Sequence, residues 1–235
     1  MQLIVNLEAD KVEIPYDHSY QLYSGVLALV KVFDPSIASL LHTYNSASKF
    51  SISQLMPGGK RQFTKTGFLG ERYIFIISSL DESLIDIFRN ALGSSGNIKI
   101  FNRTFKIHSI IKREISPSSE IINIKTRSPI VLKSDNKYLA KESESIISEA
   151  LLSNIKRKYV RVKGVDPDIR FIQILNLKQK IIGVKGVKLP AFMLSLTISA
   201  DINVLRFILT VGLGSKNKLG FGFVEEEKES SLNVL

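Results

Sequence analysis

The sequence predicts an α+β protein built as two similar halves. Three observations lead there. Stretches in which apolar and polar residues alternate with a period of two are interleaved with stretches of helical spacing. That order of elements comes round twice in 235 residues, a length that suits two domains of just over a hundred residues each. The composition, 44% hydrophobic and 23% charged, is that of a packed chain and excludes a disordered, collagen-like or low-complexity one.

Taken in order, residues 2–8 alternate as a half-buried strand does. After the turn-prone Pro15-Tyr16-Asp17-His18, residues 20–33 set Leu22, Val26, Leu29, Val30 and Phe33 at helical spacing. Asp34-Pro35 ends that helix and begins a second over 36–42, with proline at its first position. Residues 50–55 read as a strand, Pro57-Gly58-Gly59 as a turn, and 73–78 as a strongly apolar strand. Asp81 opens a helix that carries Leu84, Ile87, Phe88 and Leu92 on one face and closes at Gly93. A strand, a turn at Asn102-Arg103 and another strand fill residues 98–113. The second half repeats this theme. It offers a strand at 120–126, a helix at 142–159, strands at 169–177, 181–188 and 190–200, a helix over 202–211 capped by Asp201, and a last strand at 221–225. Helices on one antiparallel sheet in each half make two tandem ferredoxin-like (RRM-like) βαββαβ domains, residues 1–117 and 118–235, joined at Ser116-Pro117-Ser118-Ser119.

Charge points to the partner. Thirty-two Lys and Arg against 22 Asp and Glu leave a net charge of +10, a surplus that suits a polyanion such as nucleic acid. Residues 1–117 hold 13 basic and 10 acidic side chains, and the remainder 19 and 12. Between Lys156 and Lys188 ten basic residues face only Asp166 and Asp168. Lys156, Arg157, Lys158 and Arg161, with Lys163, run off the end of the long helix, beyond what helix-dipole complementarity requires. Lys178, Lys180, Lys185 and Lys188 flank Ile181-Ile182-Gly183-Val184 as the arms of a hairpin, suited to tracking phosphates. Lys60, Arg61, Lys65 and Arg72 border the Pro-Gly-Gly turn of the first half. No stretch approaches the about 18 apolar residues a membrane span needs, and residues 1–10 lack the basic start of a signal peptide. A cytoplasmic protein with no membrane partner is expected. The absence of cysteine excludes disulfides and thiolate metal centres, and three scattered histidines argue against a metal site. No cofactor is expected.

The most specific motif is Gly212-Leu213-Gly214-Ser215-Lys216-Asn217-Lys218-Leu219-Gly220-Phe221-Gly222. It follows a helix and lacks the Gly-Lys-Ser/Thr ending, so it is neither a dinucleotide fingerprint nor a Walker A loop. Four glycines interleaved with two lysines read as a loop that approaches another backbone closely and holds phosphates with its amides, Ser215, Lys216, Asn217 and Lys218.

This loop, ending in Gly220-Phe221-Gly222, resembles that of the RAMP proteins, and best that of the CRISPR-associated endoribonucleases that cut repeat transcripts into guide RNAs. Pro15-Tyr16-Asp17-His18 before the first helix, Leu41-His42 at the end of the second, Lys49-Phe50-Ser51-Ile52-Ser53 at the next strand and Thr126-Arg127-Ser128-Pro129-Ile130 agree in order and spacing. The resemblance implies two ferredoxin-like domains with repeat RNA across their shared face. It also implies metal-independent cleavage, in which a ribose 2′-oxygen attacks the adjacent phosphate to leave a 2′,3′-cyclic phosphate and a 5′-hydroxyl. Such chemistry needs a base, an acid and a cation for the phosphorane charge. His42 occupies the family's catalytic-histidine position and Lys49 its catalytic-lysine position. The family's helix tyrosine aligns at Leu27-Ala28, where neither residue can serve; Tyr23, one turn earlier on the same face, is the catalytic candidate that would reach the site in its place. His18 and His108 read as structural.

Two other readings stand beside this one. The first is a RAMP subunit of a CRISPR effector complex that grips RNA without cutting, favoured by the displaced tyrosine. The second is a basic α+β module for structured RNA, disfavoured because no aromatic-rich sheet motif is present. Exposed sheet edges leave pairing into a homodimer open.

Overall fold

The computed structural model describes residues 1–42, 49–59, 62–134, 137–184 and 186–227. In the first half, β1 (Gln2–Pro15) leads into α1 (Ser19–Phe33) and α2 (Pro35–His42). Then come β2 (Phe50–Ile52), the two-residue β3 (Met56–Pro57) and β4 (Gln62–Phe63), β5 (Gly67–Ser79), α3 (Glu82–Ser95), β6 (Asn97–Ile100) and β7 (Arg103–Arg113). One antiparallel sheet runs β2-β5-β1-β7-β6, with β3 and β4 also on β5. β1 and β5 lie side by side at its centre, flanked by β2 and β7, which is the split-βαβ arrangement. Leu3, Val5 and Leu7 of β1 point into the core, as the alternation requires, against Leu22, Val26 and Val30 of α1. At Gly25 the helix comes so near β6 that a Cβ would lie 2.4 Å from the Lys99 carbonyl oxygen.

β1 does not stop at Glu8. Its polar Ala9-Asp10-Lys11 stretch, which reads as the strand's end, is a break in register after which pairing to β5 resumes at Val12. The helix α3 likewise passes through Gly93, which faces open space, and ends at Gly96 with φ +65° and its N–H on the Leu92 carbonyl. Asp81 caps the start as expected, accepting from the Ser83 and Leu84 amides.

The second half contains β8 (Ile121–Thr126), the short pair β9 (Lys133–Ser134) and β10 (Lys137–Tyr138), and α4 (Glu144–Lys163). They are followed by β11 (Ile169–Val184), β12 (Val187–Ala200), α5 (Ile202–Val211), a 3₁₀ turn (Asn217–Leu219) and β13 (Val224–Glu226). The main sheet runs β11-β12-β8-β13, with its first and third strands central, and α4 and α5 supply the other layer of its core. Both halves are therefore ferredoxin-like. The three strands expected over 169–200 are two: β11 and β12 form one long hairpin in which Val184 pairs with Val187. Lys178 and Lys180 lie along one arm, and Pro190 is tolerated opposite Ile181. The final strand begins only at Val224, after Phe221 of the glycine loop and the adjoining Phe223, both buried.

The halves are bonded at several points. The buried Ser51 hydroxyl donates to the Thr210 carbonyl at 2.7 Å. Glu225 pairs with Arg127 at 2.6 Å and Arg113 at 3.6 Å. The linker is tied down where the Ser118 amide donates to Glu226 at 3.2 Å. A small core of Val131, Val184, Leu189, Ala191 and Phe221 sits under the hairpin tip. Gly183 near that tip lies against Asp17 of the first half, 3.3 Å from where its own Cβ would stand.

Candidate active site

α2 carries the catalytic candidate His42 at its end. It has eight residues, about two turns, too few to hold together without tertiary packing. Asp34 starts it by accepting from the Ser36 and Ile37 amides at 3.0 and 3.1 Å, and these hydrogen bonds, that of the Ser36 hydroxyl foremost, hold its carboxyl below the usual range. Ala38 and Leu41 bury one face in the core. The next residue, His42, ends the helix with its side chain exposed. Lys49 stands just before β2, its side chain also exposed and its carbonyl fixed by the Leu80 amide at 3.0 Å and the Ser79 hydroxyl at 3.1 Å. An accessible imidazole and an accessible ammonium are thus presented from the two ends of one connection, residues 43–48.

Tyr23 does not join them in the open. It is 7% exposed, and its hydroxyl donates to the Leu41 carbonyl at 3.2 Å. Burial pushes its phenol pKa up, with nearby Tyr20 adding to the effect. This geometry spends the polar atom of Tyr23 behind α2, on the backbone of the helix that carries His42.

The glycine loop also differs from the open phosphate cradle that its composition suggests. Gly212, Gly214, Gly220 and Gly222 all have positive φ, from +65° to +85°, so the glycines are required. The amides of Gly212, Leu213, Ser215, Gly220 and Gly222 are spent on the carbonyls of Ile208, Gly222, Val131, Asn217 and Pro129. The Ser215 hydroxyl also turns onto Val131. Asn217 is 1% exposed, and its amide donates to the Leu213 and Phe221 carbonyls. Lys158 reaches in from α4 to donate to the Asn217 Oδ1 at 2.6 Å and the Gly212 carbonyl at 3.0 Å. Although its stem is only half-buried, the ammonium is enclosed, and desolvation, aided by Arg157, lowers its pKa to about 7. Lys158, Ser215 and Asn217 therefore hold the loop together rather than reaching outward. A sequence cannot show this, because the partners lie up to 84 residues apart.

The loop packs on the first half. Gly220 fits against Ser19 and the Ser53 carbonyl, and Lys218 donates to the Leu41 carbonyl at 3.2 Å. Lys216, with φ +64°, is half-exposed. Of the other basic residues, Lys156, Arg157 and Arg161 are exposed on α4, and Lys178, Lys180 and Lys188 on the hairpin arms. Lys185, Lys60 and Arg61 lie outside the described residues.

His18 is structural, as expected. It is 2% exposed; Nε2 accepts from the Leu55 amide at 3.0 Å, so Nδ1 carries the proton that goes to the Pro15 carbonyl at 2.7 Å. Burial holds its pKa down to about 4, outweighing the Pro15 carbonyl and Asp17. Above the unfolded value near 6.5 the ring is neutral in both states. As pH falls from there toward 4, the unfolded chain takes up a proton that the folded one refuses, and up to about 3 kcal/mol of stability is lost. Urea unfolding of His18→Gln is expected to lose correspondingly less between pH 7 and pH 4; an unchanged loss would place the acid sensitivity elsewhere.

A tandem ferredoxin-like frame whose second half carries a surplus of basic side chains suits a protein that handles a polyanion such as nucleic acid. The comparisons agree. Residues 13–111 match the family model described as CRISPR-associated protein Cas6, N-terminal, and residues 111–226 that of CRISPR associated protein Cas6, C-terminal. The chain belongs to the Cas6 family of RAMP-type CRISPR-associated proteins. It is 29% identical over 238 residues to CRISPR-associated endoribonuclease Cas6 1 of Methanocaldococcus jannaschii, covering 95% of this chain and 92% of that one. Over 223 residues it is 26% identical to CRISPR-associated endoribonuclease Cas6 of Pyrococcus furiosus, covering 92% and 84%. A solved structure of a CRISPR associated protein Cas6 superposes with a TM-score of 0.83 at 26% identity, over 97% of this chain and 99% of the other. Among the described residues no helix is long and apolar enough to cross a membrane.

Proposed function

We propose that this chain is a cytoplasmic endoribonuclease that cuts CRISPR repeat transcripts into guide RNAs without a metal ion. A ribose 2′-oxygen attacks the adjacent phosphorus, His42 serves proton transfer, and Lys49 stabilises the charge that develops on the phosphorane oxygens. The products are a 2′,3′-cyclic phosphate and a 5′-hydroxyl. The observation that carries this reading is the exposure of His42 at the end of a helix whose preceding residue is buried and doubly hydrogen-bonded. Such a group is free to meet RNA yet fixed at its root. Lys156, Arg157, Arg161, Lys178, Lys180 and Lys188 supply phosphate contacts on the second half, in a division at residues 117 and 118. Other CRISPR effector subunits, or a second copy of this chain, belong to the same proposal as further partners.

Cleavage of labelled repeat RNA in EDTA tests the mechanism. Cutting is expected to persist there and to disappear when the nucleotide at the cut carries a 2′-deoxy sugar. Loss of cutting in EDTA, or cutting of the deoxy substrate, would refute a 2′-oxygen attack without metal. The withdrawal of Tyr23 into the core favours one second reading, a RAMP subunit that grips repeat RNA and leaves it whole. Tight binding with no cutting would establish it.

A further inference from the structure

The last carbonyls of a helix have no partner within it, and in α2 that shortage falls beside the catalytic candidate. The Leu41 carbonyl belongs to the peptide that links Leu41 to His42, and it receives two donors: the Tyr23 hydroxyl at 3.2 Å and the Lys218 ammonium at 3.2 Å. Fixing that peptide plane fixes the backbone from which the His42 side chain projects. Tyr23 belongs to the neighbouring helix α1, but Lys218 is 177 residues away in the other half of the molecule. A positive group at a helix C-terminus also favours the helix dipole.

Lys218 is itself delivered from a rigid support. Its neighbour Asn217 is locked by three hydrogen bonds, to Leu213, Phe221 and Lys158. Left-handed residues, Lys216 at φ +64° and Gly220 at φ +85°, bound the turn on either side. Gly220 in turn rests on Ser19 of α1. The glycine loop is therefore a strut from α4 of one half to the end of α2 in the other. Resting on the reading of His42 as the proton-transfer group, we propose that Lys218 is a positioning residue, which acts through the Leu41 carbonyl to set the orientation of His42, and that Tyr23 shares this role. The docking of the two halves is thereby built into the geometry of the reaction.

The test compares Lys218→Met, Lys218→Arg and Tyr23→Phe with His42→Ala in the full chain, using labelled repeat RNA. Single-turnover cleavage at saturating RNA is measured beside the RNA dissociation constant. Misplacing a catalytic group by a fraction of an ångström lowers rate and leaves binding alone. Lys218→Met and Tyr23→Phe are thus each expected to slow saturated cleavage on the order of tenfold, with the dissociation constant within about twofold of wild type. Lys218→Arg, which keeps a donor and the charge, is expected to recover most of the rate. Tyr23→Phe removes one oxygen only and keeps the comparison interpretable if Lys218→Met folds poorly. A saturated rate that is unchanged in Lys218→Met while binding weakens would make Lys218 a phosphate contact and overturn the proposal. Full cleavage by His42→Ala would instead refute the catalytic reading of His42, and this inference with it, whatever the Lys218 variants do.

Discussion

His42→Ala is expected to lower the rate of repeat-RNA cleavage by about 10³-fold, the middle of the range that a positioned proton-transfer group contributes. The expectation rests on where the residue sits. The imidazole is exposed, whereas the packing of α2 is carried by Ala38 and Leu41 and its end by the bonds to the Leu41 carbonyl. Truncation at His42 removes the reacting group and leaves those supports untouched, so the unfolding free energy should move by less than about 0.5 kcal/mol. RNA affinity should also stay near wild type, since the exposed basic side chains on α4 and the hairpin are unaltered. Rate, stability and affinity measured together make the result decisive. A large loss of rate with the other two unchanged places His42 in the chemistry. Equal losses of rate and affinity would make it a binding residue, and an unchanged rate would move the proton transfer to another group.

How much of this was legible beforehand depends on whether the determining interactions were local. Capping at Asp81 and Asp201, proline at the start of α2 and the apolar periodicity of α1 act within a few residues, and the sequence reveals them. The bulge of β1 was not legible, because Ala9-Asp10-Lys11 has the composition of a turn and only pairing to β5 keeps it in the sheet. The same holds for the single long β11–β12 hairpin, where cross-strand pairing carries the chain past Gly183 and Pro190. At the site, motif position singled out His42 and Lys49, and the structure shows both exposed. Composition could say that the glycine loop approaches another backbone, but not that Gly212 and Gly222 meet the loop's own backbone while Gly214 meets Val131 and Gly220 the Ser53 carbonyl. Nothing near Lys158, Asn217 or Lys218 in the chain announces that one locks the loop, one staples it and one reaches Leu41.

The loop's role yields the other large effect, at Gly222. A Cβ there would lie 1.8 Å from the Leu213 carbonyl oxygen and 2.8 Å from the Asn217 amide nitrogen, and the residue has φ +65°. Both neighbours are bonded into the loop: the Leu213 carbonyl accepts from Asn217, and the Leu213 amide donates to the Gly222 carbonyl at 2.8 Å. Neither is the free end of a flexible side chain, so alanine cannot be accommodated by a rotamer change. It must force the two loop strands apart, at the cost of left-handed strain, the clash, and the buried Asn217 and Lys158 bonds. Together these amount to roughly 3–5 kcal/mol, the range of the most disruptive single substitutions. Gly222→Ala is therefore expected to lower the urea midpoint sharply and to slow cleavage even where the protein remains folded, because the Lys218 strut rests on the same loop. Gly93→Ala is the matched control. Gly93 lies inside α3 with nothing within 4 Å of its Cβ position, so alanine there should stabilise by about 0.5–1 kcal/mol. Equal midpoints for the two variants would mean that the loop is looser than its hydrogen bonds imply.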